Sequence, residues 1–212
     1  MEGGIPMNQS ILWQQSRLHT CCLTGHRQLP TDPDQLYALY ESLRCTIVRL
    51  VGEQIDQFYV GGALGFDTLA AMTVLEMKAR FPQIRLLLAV PYPGQSSRWN
   101  SAGRRLYDQI RDHADQVEII SPTYTADCMK KRNYHMVRHS CVCVYYLVNP
   151  IRSGTAQTVH YANRQGCRMI DLLREQEKIQ GKQGEDRTNW NEEVFLREAS
   201  LSESEAKEPE SL

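Results

Sequence analysis

Gln57-Phe58-Tyr59-Val60-Gly61-Gly62-Ala63-Leu64-Gly65-Phe66-Asp67 reads as an apolar strand, a glycine-broken turn and the opening of an alanine- and methionine-rich helix that runs to Arg80. The same order recurs on both sides of it. Upstream, Cys21-Cys22-Leu23 is broken by Thr24-Gly25, and Pro33 opens a helical stretch carrying Leu36, Leu39, Tyr40, Leu43, Ile47 and Leu50 at near-helical spacing. Downstream, Ile84 to Val90 is a continuous apolar run ended by Pro91. A helix from about Asn100 to His113, a strand at Val117 to Ile120 and a helix from Met129 to Arg138 follow. Cys141 to Val148 is the longest strand-like segment and too apolar for a sheet edge. Ser153-Gly154-Thr155 then introduces a helix through Ala162, and Cys167 to Leu172 closes the pattern. Strands alternating with helices predict an α/β fold: a largely parallel sheet of about six strands with helices on both faces.

This alternation delimits one domain, residues 19–173, between a polar leader (1–18) and a tail (174–212) rich in Glu, Lys, Gln and Ser. Only Trp190, Val194, Phe195 and Leu196 interrupt the tail, enough for a short docking segment toward a protein partner. The net charge of −1 hides a split: Glu185 to Leu212 carries −6, which leaves the first 184 residues at +5. A mildly basic folded part suits an anionic ligand, yet no stripe of interleaved basic and aromatic residues is visible in the sequence, which argues against nucleic acid. Seven cysteines, odd in number and without a CxxC pair, lie mostly in apolar runs and fit a reducing compartment. With no signal-like leader and no membrane-length apolar run, a cytoplasmic location is expected.

Ligands of parallel sheets bind beyond the carboxyl ends of the strands, and four breaks belong to that edge. Thr24-Gly25-His26-Arg27 offers a close backbone approach, a hydroxyl and a guanidinium fork for phosphate; an ordinary turn with a surface arginine is the competing reading. In the second break, Gly61, Gly62 and Gly65 allow backbone amides and a helix N-terminus to face an anion, although the turn is neither GxGxxG nor a Walker loop. Asp67 there is a ribose ligand, a base or a helix-terminal carboxylate. The third break places Tyr92, Gln95 and Trp99 after the third strand, with Tyr92 or Trp99 stacking on a base and Gln95 reading its edge, or Trp99 simply anchoring the loop. The fourth, Arg152-Ser153-Gly154-Thr155, is a second glycine-hydroxyl turn opening a helix. Lys131-Arg132-Asn133-Tyr134 adds donors, or is a solvated face. His113, His135, His139 and His160 match no zinc spacing, so no metal is expected and no cofactor is required.

Taken in order, Thr24-Gly25-His26-Arg27, Gly61 to Asp67, Pro91-Tyr92 with Gln95 and Trp99, Arg132-Asn133-Tyr134 with Met136-Val137, and Ser153-Gly154-Thr155-Ala156 resemble the YpsA-like branch of the SLOG superfamily over residues 20 to 172. That superfamily also holds the DNA-processing protein DprA and the LOG phosphoribohydrolases. The resemblance implies a Rossmann-like fold, a ligand site on the glycine turns, and a role in sensing or processing nucleotide-derived ligands such as NAD or ADP-ribose derivatives; it is also compatible with a homo-oligomer. Three departures stand out. Arg138 and Cys141 replace two acids of the YpsA-like pattern, and Thr158 stands where the LOG branch has its glutamate. The first expectation is therefore a binding or sensing module for a nucleotide-derived small molecule. The alternatives are a hydrolase of N-glycosidic or nucleotide bonds in which Asp67 helps water attack or stabilises an oxocarbenium-like centre, and a regulatory scaffold acting through the acidic tail.

Overall fold

The computed structural model describes residues 15–149, 151 and 153–180, the side chains of 178–180 excepted. Residues 1–14 of the expected leader, Arg152, and the tail from 181 onward with Trp190, Val194, Phe195 and Leu196 lie outside the described residues. The elements are β1 (Thr20–Gly25), α1 (Pro33–Gly52), β2 (Gln57–Val60), α2 (Phe66–Lys78), β3 (Arg85–Val90), α3 (Ser101–His113), β4 (Gln116–Ile119), α4 (Cys128–Arg138), β5 (Val142–Tyr146), α5 (Gly154–Arg164), β6 (Arg168–Asp171) and α6 (Leu172–Gln180). The six strands form one all-parallel sheet in the order β4-β3-β2-β1-β5-β6, a Rossmann-like α/β architecture.

Side-chain alternation along the strands explains why helices cover both faces. Cys21, Leu23, Phe58, Val60, Leu86 and Leu88 point into a core shared with α1, α2 and α3. Cys22, Tyr59, Leu87, Ala89 and Cys143 point the other way, against Met136 and Val137 of α4 and Ala162 of α5. As its composition requires, β5 is an interior strand, between β1 and β6.

Side-chain caps place three helix starts. Asp32 accepts from the Gln35 amide (2.9 Å) with Pro33 behind it, Asn100 from Gly103 (2.8 Å), and Ser153 from Ala156 (3.0 Å). Helix α2 has no such cap; it begins at Gly65, whose φ of 80° lies in the left-handed region. A side chain there would overlap the Arg27 backbone. The Phe66 amide donates to the His26 carbonyl (3.1 Å), so the turn after β1 is clamped onto the start of α2. Helix α4 is pinned toward the sheet edge by His135, whose Nε2 lies 2.7 Å from a Glu118 oxygen, while the Tyr59 hydroxyl donates to the same carboxylate.

The break in apolar patterning at Leu173 falls inside the last helix. Helix α6 packs on α1, with Leu172 fully buried, the Ser42 hydroxyl donating to the Leu172 carbonyl (3.2 Å) and Arg49 paired with Glu175 (3.0 Å). The helix thus continues the packed body past residue 173, and a truncation meant to remove the acidic segment while keeping the helix has to begin after Gln180. Gly65→Ala, strained in φ and overlapping Arg27, is expected to cost about 2 kcal/mol or more in urea denaturation. Gly154→Ala, with open space around the new methyl, should stay within about 0.5 kcal/mol; equal costs would refute the clamp.

Candidate functional site

Strand order locates the site. The chain runs outward from β1 to β4, then returns to add β5 on the other side of β1, so the connections leaving β1 and β5 depart in opposite directions and open a crevice between them. A cavity of about 790 Å³ occupies that place. Its walls are Thr24 to Pro30 after β1, Tyr146, Val148 and Asn149 after β5, Ser153, Gly154 and Thr155 at the start of α5, Ala63, Leu64 and Asp67 from the turn before α2, and Met129, Arg132 and Asn133 of α4, with Gln35 of α1.

At its centre is a buried ion pair. Arg132 and Asp67 are 6% and 8% exposed, and an Arg132 terminal nitrogen lies 3.3 Å from Asp67 Oδ2, which also accepts from the Ala63 amide (3.1 Å). Gly61 makes this pair fit: a Cβ there would overlap the Arg132 guanidinium. Burial pushes the Asp67 carboxyl above its ordinary value, against the pull of Arg132, the Ala63 amide and Arg27. Burial likewise lowers Arg132, with Asp67 opposing and Arg27 adding to the drop. Arginine stays protonated regardless, so Arg27 and Arg132 leave the cavity one positive charge in excess of Asp67. The buried Arg132 Nε has no hydrogen-bond partner. That nitrogen is closed off from the cavity, while Arg132 as a whole lines it beside Arg27.

The α5 terminus adds to this. Its first-turn amides lack intrahelical acceptors; Ser153 satisfies that of Ala156, which leaves Gly154 and Thr155 at the positive end of the helix dipole. The Thr155 hydroxyl donates to the Gly25 carbonyl (2.9 Å), tying the two glycine-hydroxyl turns together. Asn133 donates to the Thr158 hydroxyl (2.8 Å), which in turn donates to the Gly154 carbonyl (2.8 Å). His26 Nε2 accepts from the Asn149 amide (3.4 Å), and the His26 ring meets Tyr146 edge-on at 6.4 Å.

The structure therefore brings together Thr24, Gly25, His26, Arg27, Asp67, Arg132, Asn133, Ser153, Gly154 and Thr155. It places Gly61, Gly62, Gly65, Tyr92, Gln95 and Trp99 outside the cavity wall. The first three serve packing: Gly61 seats Arg132, Gly65 meets Arg27, and the Gly62 carbonyl accepts from Gln95 (2.6 Å). Trp99 packs edge-on against Tyr107 (5.5 Å), and Tyr92 against Tyr124 (5.4 Å). The physical reason is that β3 lies two strands from β1, so its loop opens away from the crevice. The aromatic in the wall is instead Tyr146, stacked on Phe66 at 6.0 Å. Sequence reasoning passed over Tyr146, Val148 and Asn149, whose one signal was their position at the end of the most apolar strand. Arg132→Met, leaving Asp67 buried and uncompensated, should lower unfolding free energy by about 3–5 kcal/mol. The double variant Arg132→Met/Asp67→Leu should recover most of that loss; additive losses would show that the pair is not coupled.

Known proteins resemble this chain in sequence and in fold. A UPF0398 protein of Halalkalibacterium halodurans, BH1768, is 31% identical over 96 residues, 44% of this chain and 51% of the relative. The SPbeta prophage-derived protein YoqJ of Bacillus subtilis is 28% identical over 145 residues, 62% of this chain and 80% of the relative. The chain spans about half the length of the first curated relatives it matches. Among solved structures, DNA processing protein A (DprA) from Streptococcus pneumoniae shares the fold with a TM-score of 0.52 at 14% identity, over 85% of this chain and 62% of that one. The family model for YpsA, described as the YspA SLOG family, matches residues 21–171, and the chain belongs to that family.

Proposed function

We propose that this chain binds a phosphate-bearing, nucleotide-derived small molecule in the β1/β5 crevice and acts as a sensing or regulatory module. The observation that carries the reading is the joint placement of Arg27 and Arg132, two guanidiniums against the single Asp67 carboxylate, in the same cavity wall as the start of α5. A phosphate takes the Gly154 and Thr155 amides and Arg132, with the exposed Arg27 closing over it. Leu29, Leu64, Met129, Tyr146 and Val148 form the apolar wall against which a base lies, and Gln35 and Asn149 supply edge contacts. About 790 Å³ is room for a nucleotide.

A hydrolase reading rests on Asp67, a carboxyl whose burial raises its pKa inside the cavity, as general acids require. Against it, Asp67 Oδ2 is engaged by Arg132 and the Ala63 amide, and Thr158, at the place of the LOG glutamate, is buried and hydrogen-bonded.

Thermal-shift titration with NAD, ADP-ribose, AMP, cyclic nucleotides and nucleoside monophosphates, followed by chromatography, separates these readings. A ligand at 100 times its Kd stabilises by about 2.7 kcal/mol. The expected result is stabilisation by at least one compound recovered intact, a smaller shift in Arg27→Ala, and none in Gly154→Asp, which places a carboxylate at the phosphate position without crowding the fold. Cleaved ligand, with cleavage abolished in Asp67→Asn, would replace the sensor with the hydrolase. No shift with any compound would remove the nucleotide site.

A further inference from the structure

Helices α4 and α5 lie side by side on one face of the sheet and run as CMKKRNYHMVR and GTAQTVHYANR, without a single Asp or Glu. They carry Lys130, Lys131, Arg132, Arg138 and Arg164, a net +5 on two 11-residue helices. The first 184 residues as a whole also carry +5, so the rest of that stretch is balanced and the entire positive excess sits on this helix pair. Arg132 is turned to the cavity and paired with Asp67, and Lys131 is bridged to Asp127 (3.1 Å) just ahead of α4. Lys130, Arg138 and Arg164 are exposed.

The cations are interleaved with aromatics. Lys130, Tyr134 and Arg138 share one face of α4 at four-residue spacing. The Lys130 ammonium lies 5.4 Å from the Tyr134 ring centre, Tyr134 stacks on Tyr161 of α5 at 3.7 Å and 10°, and Arg138 Nε donates to the Tyr161 hydroxyl (2.9 Å). Both rings are only half-buried. Lys130 and Tyr161 take up the two faces of Tyr134, so the cations supply charge for the phosphates and the partly open Tyr161 ring a surface for a base.

We infer that the Lys130–Tyr134–Tyr161–Arg138 stripe, a surface outside the crevice and independent of the small-molecule reading, binds single-stranded nucleic acid. The test is fluorescence anisotropy of a labelled oligo-dT with the full chain at several salt concentrations. Binding is expected to weaken steeply with salt. Lys130→Glu/Arg138→Glu, checked for folding by circular dichroism, should weaken it about tenfold or more and flatten the log-log salt slope by about 1.4. Tyr161→Leu, checked for folding by circular dichroism, should weaken oligo-dT while leaving a sulfated polysaccharide of equal charge unaffected. Gly154→Asp should leave oligo-dT bound. Absence of oligo-dT binding at low salt, or insensitivity to the Lys130/Arg138 pair, would overturn the proposal. So would equal effects of Tyr161→Leu on both polymers, or binding to phosphatidylserine vesicles in place of oligo-dT. If Gly154→Asp abolished oligo-dT binding, the polymer would occupy the crevice, refuting the stripe while the cavity reading stood.

Discussion

The Arg132–Asp67 pair is the constraint around which the crevice is organised. It joins a helix on one face of the sheet to the first turn of a helix on the other, across the carboxyl end of β2, through the space that Gly61 leaves open. Two charges this deeply buried are stable only together. Their juncture holds α4 and α2 in register around the cavity. One carboxylate against two guanidiniums leaves Arg27 and Arg132 one positive charge in excess on the wall of the crevice.

The turns surrounding the pair act as a frame. The β1 turn is clamped at Gly65 and Phe66 and tied through Gly25 to Thr155, so residues of the cavity wall are mutually braced through backbone groups. That bracing fits a preorganised binding site better than a moving catalytic loop. The glycines of the second turn lie outside the cavity wall and let other groups approach one another.

Much of the fold was legible because its strands are covered on both faces, which makes them continuous apolar runs such as Arg85–Val90 and Val142–Tyr146, and because Asp32-Pro33, Asn100 and Ser153 mark helix starts chemically. The candidate residues of the β1 and β5 connections were legible for the same reason. Strand order was not, since it depends on long-range pairing that leaves no local mark. Without it the loop of Tyr92, Gln95 and Trp99 looks as eligible as the other three, though β3 carries it two strands from the crevice. The tyrosine pair and its cations were hidden by a like cause: Tyr134 and Tyr161 are 27 positions apart in the sequence and become a stripe only when α4 meets α5. Helix α6 escaped because beyond Leu172 and Leu173 its residues are mostly polar or charged, leaving little periodicity to read.

The central proposal is that an anion binds between Arg132 and the start of α5, and nitrogen-15 NMR reads this through the Arg132 side chain and the Gly154 and Thr155 amides. Titrating AMP into the labelled full chain should shift these three resonances together along one binding curve. Saturable shifts centred instead on the Tyr92–Trp99 loop, or on Tyr134 and Tyr161 with Arg132 unmoved, would contradict the account.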